Sequence, residues 1–338
     1  MKCSTAWLME LNKFNKYYIK INFMGLHHLK SPVIILGEVK FKYSQLGVAS
    51  LNLLVSDTIF SMQKEFLKSQ PVGIFDSGVG GLSVLRAIRQ ELPGEDILYL
   101  GDQAHIPYGP RSKAQIRTFA TGITRFLLSQ GAKLIIVACN AASAAALHHL
   151  RESFPEVAFV GMEPAVKPAA ETTHTGKVGV LATPTTFAGE LYASVVERFA
   201  QHVEIFKSTC PGLVEQIEAG ALDSPKTRKI LEDALSPMLA AGIDTIVMGC
   251  THYPFVIPLI EDITGPGVRT IDPAPAIARQ ARRLLLRQDL LNPGNTMGKM
   301  QFFTSGDPNA LDGLLPCLLG ETGPVEQVFW DKHLVLHQ

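Results

Sequence analysis

The sequence predicts an α/β protein: two similar doubly wound parallel-sheet domains facing each other across a cleft, preceded by an irregular N-terminal extension. Three observations predict it. From residue 71 onward, short β-branched runs alternate with stretches of helical periodicity, the pattern of parallel strands joined by crossover helices. The alternation runs through the chain twice with the same layout. Each round closes on an apolar run ending in cysteine, first "KLIIVAC" and then "TIVMGC".

Residues 1–70 stand apart, with no clean helical or alternating pattern. Lys2, Lys13 and Lys16 flank only the short apolar "AWLM", which argues against a secretory signal. The expectation is that the functional chain starts at Met62 and that 1–61 is a dispensable extension, a small regulatory cap being the alternative. The ordered core begins near Pro71. "VGIF" is followed by the helical "SVLRAIRQEL". "DILYLGD" leads to a long helix in which Ile116, Phe119, Ile123, Phe126 and Leu127 recur at helical spacing. "KLIIVAC" then leads to "AASAAALHHLRESF". The second round opens with "GKVGVLATPTTFAGELYASVVERF", which repeats the layout of "SQPVGIFDSGVGGLSVLRAIRQEL". The spacing from Gly73 to Cys139 nearly equals that from Gly179 to Cys250. Pro-rich segments at 161–169 and 271–280 read as crossings between the halves. The expected first domain is therefore 71–164 plus 272–338, and the second is 165–271. The helical "AIARQARRLLLRQ" returns the chain to the first.

Composition narrows the partners. Lys plus Arg and Asp plus Glu are equal at 31 each, so charge makes no case for a nucleic-acid or membrane partner. The apolar runs are far shorter than the roughly 18–20 residues of a membrane span. Five scattered cysteines, without a C-x-x-C, argue against a disulfide framework, zinc or dithiol chemistry and suit a cytosolic protein with free thiols. A homodimer is left open.

Cys139 and Cys250 occupy matching strand ends, and open parallel sheets bind ligands at that edge. A nearby helix N-terminus favours the thiolate and is expected to lower a thiol pKa by roughly one unit. Two opposed thiols suit the removal of a proton from one face of a carbon and its return to the other. The substrate would be a carbon acid beside a carboxylate, so the site must supply donors and dipoles for the second charge. The loop "FDSGVGG" is expected to offer backbone N–H groups to an anion, with Asp76 and Ser77 at its start. Tyr108 and Gly109 lie in the Pro/Gly loop "HIPYGPRS". Asn140 follows Cys139, and Thr251 and His252 follow Cys250, where the imidazole can assist the thiol. Glu215 and Glu218 share a helix face, and Glu218 is an auxiliary candidate. Cys210 reads as structural, and the adjacent His148 and His149 do not suggest a metal pair. A Cys–His hydrolase would leave Cys139 idle, and a two-lobed ligand binder would need no reactive thiols.

The pieces "GIFDSGVGGLSVL", "YLGDQAHIPYGPRS", "IIVACNAAS", "GVLATPTTF" and "VMGCTHYP", in this order between about residues 72 and 275, resemble the glutamate racemase family of the aspartate/glutamate racemase superfamily. The resemblance implies two α/β domains, cofactor-independent and metal-independent interconversion of L- and D-glutamate, and supply of D-glutamate for peptidoglycan in the cytoplasm. It implies Cys139 and Cys250 as the two bases, the first serving D-glutamate and the second L-glutamate. Asp76, Ser77, Tyr108, Gly109, Asn140, Ala141, Thr251 and His252 would contact substrate or tune the thiols. One position departs: the family usually carries Cys-Asn-Thr where this chain has Cys139-Asn140-Ala141. Loss of that hydroxyl costs about 0.5–1.5 kcal/mol of substrate binding. A racemase or isomerase for aspartate or a hydantoin would share the paired thiols.

Overall fold

The computed structural model describes residues 64–294 and 296–338, and the backbone of 33–36 and 39–42. Chain contacts divide it into Met1–Lys64 and Glu65–Gln338. In the first unit, β1 (Val33–Leu36) and β2 (Val39–Lys42) pair antiparallel. The expectations of a start at Met62 and of a dispensable or regulatory 1–61 otherwise lie outside the described residues.

The second unit is built on two parallel sheets. β3 (Val72–Asp76), β4 (Ile97–Gly101), β5 (Leu134–Val137) and β6 (Phe159–Gly161) run in the order β4-β3-β5-β6. β7 (Lys177–Ala182), β8 (Glu204–Ser208), β9 (Thr245–Gly249) and β10 (Arg269–Ile271) repeat that order as β8-β7-β9-β10. The duplication read from sequence is thus a duplication of topology. β11 (Met300–Thr304) and β12 (Val325–Gln327) then extend the first sheet beyond β4. A short antiparallel pair, β13 (Phe329–Trp330) and β14 (Leu336–His337), follows.

Strand alternation divides the core. In β5, Leu134 and Ile136 face one apolar cluster, while Ile135 and Val137 face another. The first cluster includes Leu82, Leu85 and Ile88 of the helix Leu82–Glu91 and Ile277, Ala281 and Leu285 of the helix Ala274–Arg287. The second includes Ile116, Phe119, Ile123, Phe126 and Leu127 of the helix Lys113–Ser129, all five residues whose spacing predicted it. That helix starts on a capping box, in which Ser112 accepts from the Gln115 N–H and the Gln115 side chain accepts from the Ser112 N–H. The second sheet is covered likewise, with Val178, Val180 and Val247 against Val166, Ala169, Tyr192 and Val195. Full burial of each large aliphatic side chain contributes about 1.5–3 kcal/mol, enough to hold the strand ends in register.

In both sheets the connections diverge at one pair of neighbouring strands. From β3 the chain goes to β4 on one side, and from β5 to β6 on the other. β7 and β9 do the same. Divergent loops leave a crevice at the C-terminal strand edge. Asp76 ends β3 and Cys139 follows β5, while Thr183 follows β7 and Cys250 follows β9.

Candidate active site

The crevices of the two sheets share one pocket, lined by Cys139, Asn140 and Ala141 from one side and Thr183, Cys250, Thr251 and His252 from the other. Ser77, Pro107, Tyr108, Gly109 and Val214 complete the wall.

Cys139 is the N-cap of the helix Asn140–Ser153, and its Sγ accepts from the Ala142 N–H at 3.4 Å. The thiol thus takes the capping place normally held by a hydroxyl or carboxylate. Ser77 Oγ lies 3.8 Å from the sulfur. The helix terminus does not lower the pKa as expected. Burial pushes the thiol well above its ordinary value, Asp76 adds to the rise, and the Ala142 N–H opposes them only in part. Cys139 therefore rests as the protonated thiol. The helix dipole is legible in the sequence, whereas the desolvation of a residue only 4% exposed is not.

Cys250 is set in a tight turn after β9, its carbonyl accepting from the Tyr253 N–H and its Sγ 3.7 Å from His252 Nδ1. The other ring nitrogen, Nε2, meets Glu218 Oε1 at 2.6 Å. Burial works against the imidazolium, but Cys250 and Glu218 outweigh it and raise the His252 pKa well above its ordinary value. Burial likewise opposes the Glu218 carboxylate, and His252 with the Val79 N–H brings its pKa below the ordinary range. Glu218, only an auxiliary candidate from sequence, is thus the partner of His252. The same Oε1 accepts from the Val79 N–H at 2.7 Å, and Oε2 accepts from Gln103 Nε2 at 3.3 Å.

The glycine loop behaves otherwise than expected. Asp76 Oδ2 accepts from the Gly78 and Gly81 N–H groups at 3.2 and 3.0 Å, and Val79 donates to Glu218. Three of the loop's donors are therefore taken by protein carboxylates rather than left for an anion. Asp76 is fully buried, which raises its pKa against the pull of His252 and Gly81. Thr251 Oγ1 donates to Asp76 Oδ1 at 3.3 Å, and Ser83 Oγ donates to the Thr251 carbonyl at 2.8 Å. Close approach explains the glycines: a Cβ at Gly80 would lie 2.5 Å from His252 Nδ1, and one at Gly78 would lie 2.2 Å from Glu218 Oε1.

Tyr108 turns a buried ring to the pocket, and its hydroxyl donates to Asp102 Oδ2 at 2.6 Å. The Gly109 carbonyl accepts from Thr185 Oγ1 across the crevice. Asn140 lines the pocket at 4% exposure, and neither Oδ1 nor Nδ2 has a hydrogen-bond partner. A buried primary amide without partners costs several interactions unless a ligand supplies them.

The ten sequence candidates other than Glu218 are all at this pocket or, for Asp76, bonded to its wall. Sequence reasoning missed Pro107, Thr183, Val214 and Asp102. Thr183 follows β7 as Ser77 and Asp76 follow or close β3, so the repeat itself carried the signal. Asp102 directly follows an apolar strand in a quoted motif. Val214 is an apolar residue near a helix start and carries no signal. Cys210 is buried away from the pocket lining, Cys317 is exposed, and no metal-holding cluster occurs among the described residues. Nor, among them, is any helix long and apolar enough to cross a membrane.

Residues 73–281 match the Asp/Glu/hydantoin racemase family model. A glutamate racemase of Roseiflexus sp. (strain RS-1) is 49% identical over 255 residues, covering 74% of this chain and 94% of the relative. The fold is similar to glutamate racemase from Francisella tularensis in complex with D-glutamate, with TM-score 0.68 and 31% identity over 77% of this chain and 98% of the other. It is equally similar to Escherichia coli glutamate racemase in complex with L-glutamate and the activator UDP-MurNAc-Ala, with TM-score 0.68 and 32% identity over 80% and 100%.

Proposed function

The chain belongs to the Asp/Glu/hydantoin racemase family, and on that premise we propose that it is an amino-acid racemase interconverting L- and D-glutamate by proton transfer between two thiols. The observation that carries this reading is the presence of Cys139 and Cys250, from the two divergent crevices, in the lining of one pocket. The two sheets then act as two domains, 71–164 with 272–338 and 165–271. Relatives holding D-glutamate and L-glutamate on the same fold support the substrate.

In the direction assigned to Cys250 as base, its thiolate takes the α-proton of the amino acid. The electron pair of the C–H bond passes onto Cα and its carboxylate. Cys139, protonated at rest, donates its proton to the opposite face and becomes the thiolate. The products are the inverted amino acid, a Cys250 thiol and a Cys139 thiolate. The reverse reaction runs from that state. His252, held cationic by Glu218, stabilises negative charge on Cys250. The unpartnered Asn140 amide and the helix that it begins support a role as donors to a substrate carboxylate. D-glutamate supply for peptidoglycan in the cytoplasm is the role that fits this chemistry.

Incubation with L-glutamate in D₂O tests the proposal. Circular dichroism should decay to zero while deuterium enters Cα, and aspartate should react far more slowly. Cys139→Ser and Cys250→Ser should each abolish inversion. Near-normal racemisation by either variant sinks the two-thiol mechanism, and retention of the α-proton by the wild type sinks the racemase reading.

A further inference from the structure

Behind the Tyr108 wall lies a buried carboxylate whose partners converge from distant parts of the chain. Asp102 is fully buried. Its oxygens meet Tyr108 Oη at 2.6 Å, His105 Nδ1 at 2.9 Å, Ser305 Oγ at 2.7 Å and Trp330 Nε1 at 2.8 Å. Two of these donors come from the loop after β4 that forms the pocket wall. The other two come from the C-terminal part of the chain, Trp330 from β13.

A second feature shows that the indole has a built seat. The helix Lys113–Ser129 carries Gly122 in its interior, where glycine weakens a helix. A Cβ there would lie 2.6 Å from the Trp330 ring. The glycine opens the groove that lets the indole reach Asp102. His105 stacks on Phe119 at 3.8 Å between centroids and meets the Trp330 ring edge-on at 5.3 Å. Loop, helix and C-terminal strand pair are thereby locked around one carboxylate.

We propose that Trp330 is a positioning residue: through Asp102 it holds the Tyr108–Gly109 wall in the geometry that binds substrate. It touches no substrate itself. The inference rests on the racemase reading for its effect on turnover, but not for its effect on the loop. A buried carboxylate that loses a donor either draws in water or moves toward its remaining partners. Either change shifts Tyr108, whose hydroxyl bonds to that carboxylate.

The test is Trp330→Phe in the full chain, which keeps a ring in the groove and removes the N–H. Hydrogen exchange is read by mass spectrometry on peptides covering 103–112, with β3 and β5 peptides as reference. Exchange in 103–112 should rise about tenfold or more, the loss expected for one hydrogen bond to a charged group. KM for glutamate should rise about as much, with kcat changing less. Gly122→Ala is the second variant. It leaves Trp330 in the sequence, favours the helix locally and pushes the indole off Asp102, so it should loosen the same loop. Unchanged exchange in 103–112 in both variants overturns the proposal, as does a lowered melting temperature with KM unmoved. If the wild type does not racemise glutamate, the functional reading falls by itself, and the exchange comparison alone decides the positioning role.

Discussion

Replacing Glu218 by Gln probes the charge that organises the site. Glu218 Oε1 takes two bonds, from His252 at 2.6 Å and Val79 at 2.7 Å. A Gln amide oxygen has the same shape and can accept both, so packing is kept, while the charge goes and the weaker 3.3 Å bond that Oε2 accepts from Gln103 is lost with it. A hydrogen bond to a charged group is worth about 1.5–3 kcal/mol, and a neutral one about 0.5–1.5. The difference, about 1–2 kcal/mol, is the expected loss of stability. Its pH dependence follows from the two shifts. His252 is held above its ordinary 6.5, so its contribution is complete below that pH and fades as pH rises through the higher folded value. Glu218 is held below its ordinary 4.5, so its contribution is complete above that pH and fades as pH falls through the lower folded value. The pair therefore contributes in full from 4.5 to 6.5 and progressively less in alkali. Urea unfolding of wild type and Glu218→Gln should show the full deficit near pH 5.5 and a smaller one near pH 10, both pH values being about mid-window and well past it. In the racemisation assay, loss of the imidazolium beside Cys250 should lower kcat about tenfold. A deficit that stays constant with pH, or unchanged kcat, refutes the argument that Glu218 keeps His252 charged.

Three further outcomes follow from distances and partners. Gly80→Ala puts a methyl 2.5 Å from a His252 ring held at its far side by Glu218, so ring or loop must move by most of an ångström. Melting should reveal a loss of about 1–3 kcal/mol, and kcat should fall up to about a hundredfold; an unaltered kcat contradicts the tight seating of His252. Asn140→Ala removes an amide that has no partner without ligand. Unfolding should show a gain of about 1 kcal/mol while KM for glutamate rises at least about tenfold, and a parallel loss of both would assign the amide to the fold instead. Ala141→Thr adds a hydroxyl to the pocket wall and should lower KM by up to about tenfold. An unchanged KM means that the hydroxyl finds no substrate atom.

The periodicities and motif order by themselves determined the α/β class, the repeat and the two strand-end cysteines. These are local properties: strand alternation, helix spacing and turn residues are written in neighbouring positions. The same holds for Asp76, Ser77, Tyr108, Gly109, Asn140, Ala141, Thr251 and His252, which lie at a strand's end, in the loops after strands or at the start of the following helix. Tertiary structure alone decided what those groups are. It brought the β5 and β9 ends to one pocket and buried Cys139 enough to overcome its helix N-terminus. It turned the glycine-loop N–H groups toward Asp76 and Glu218, and promoted Glu218 from a helical carboxylate to the partner of His252. It joined Trp330 to Asp102 across most of the chain. Burial and Coulombic pairing depend on everything within a few ångströms, whatever its position in the sequence, so a protonation state or a buried network cannot be read from any single stretch.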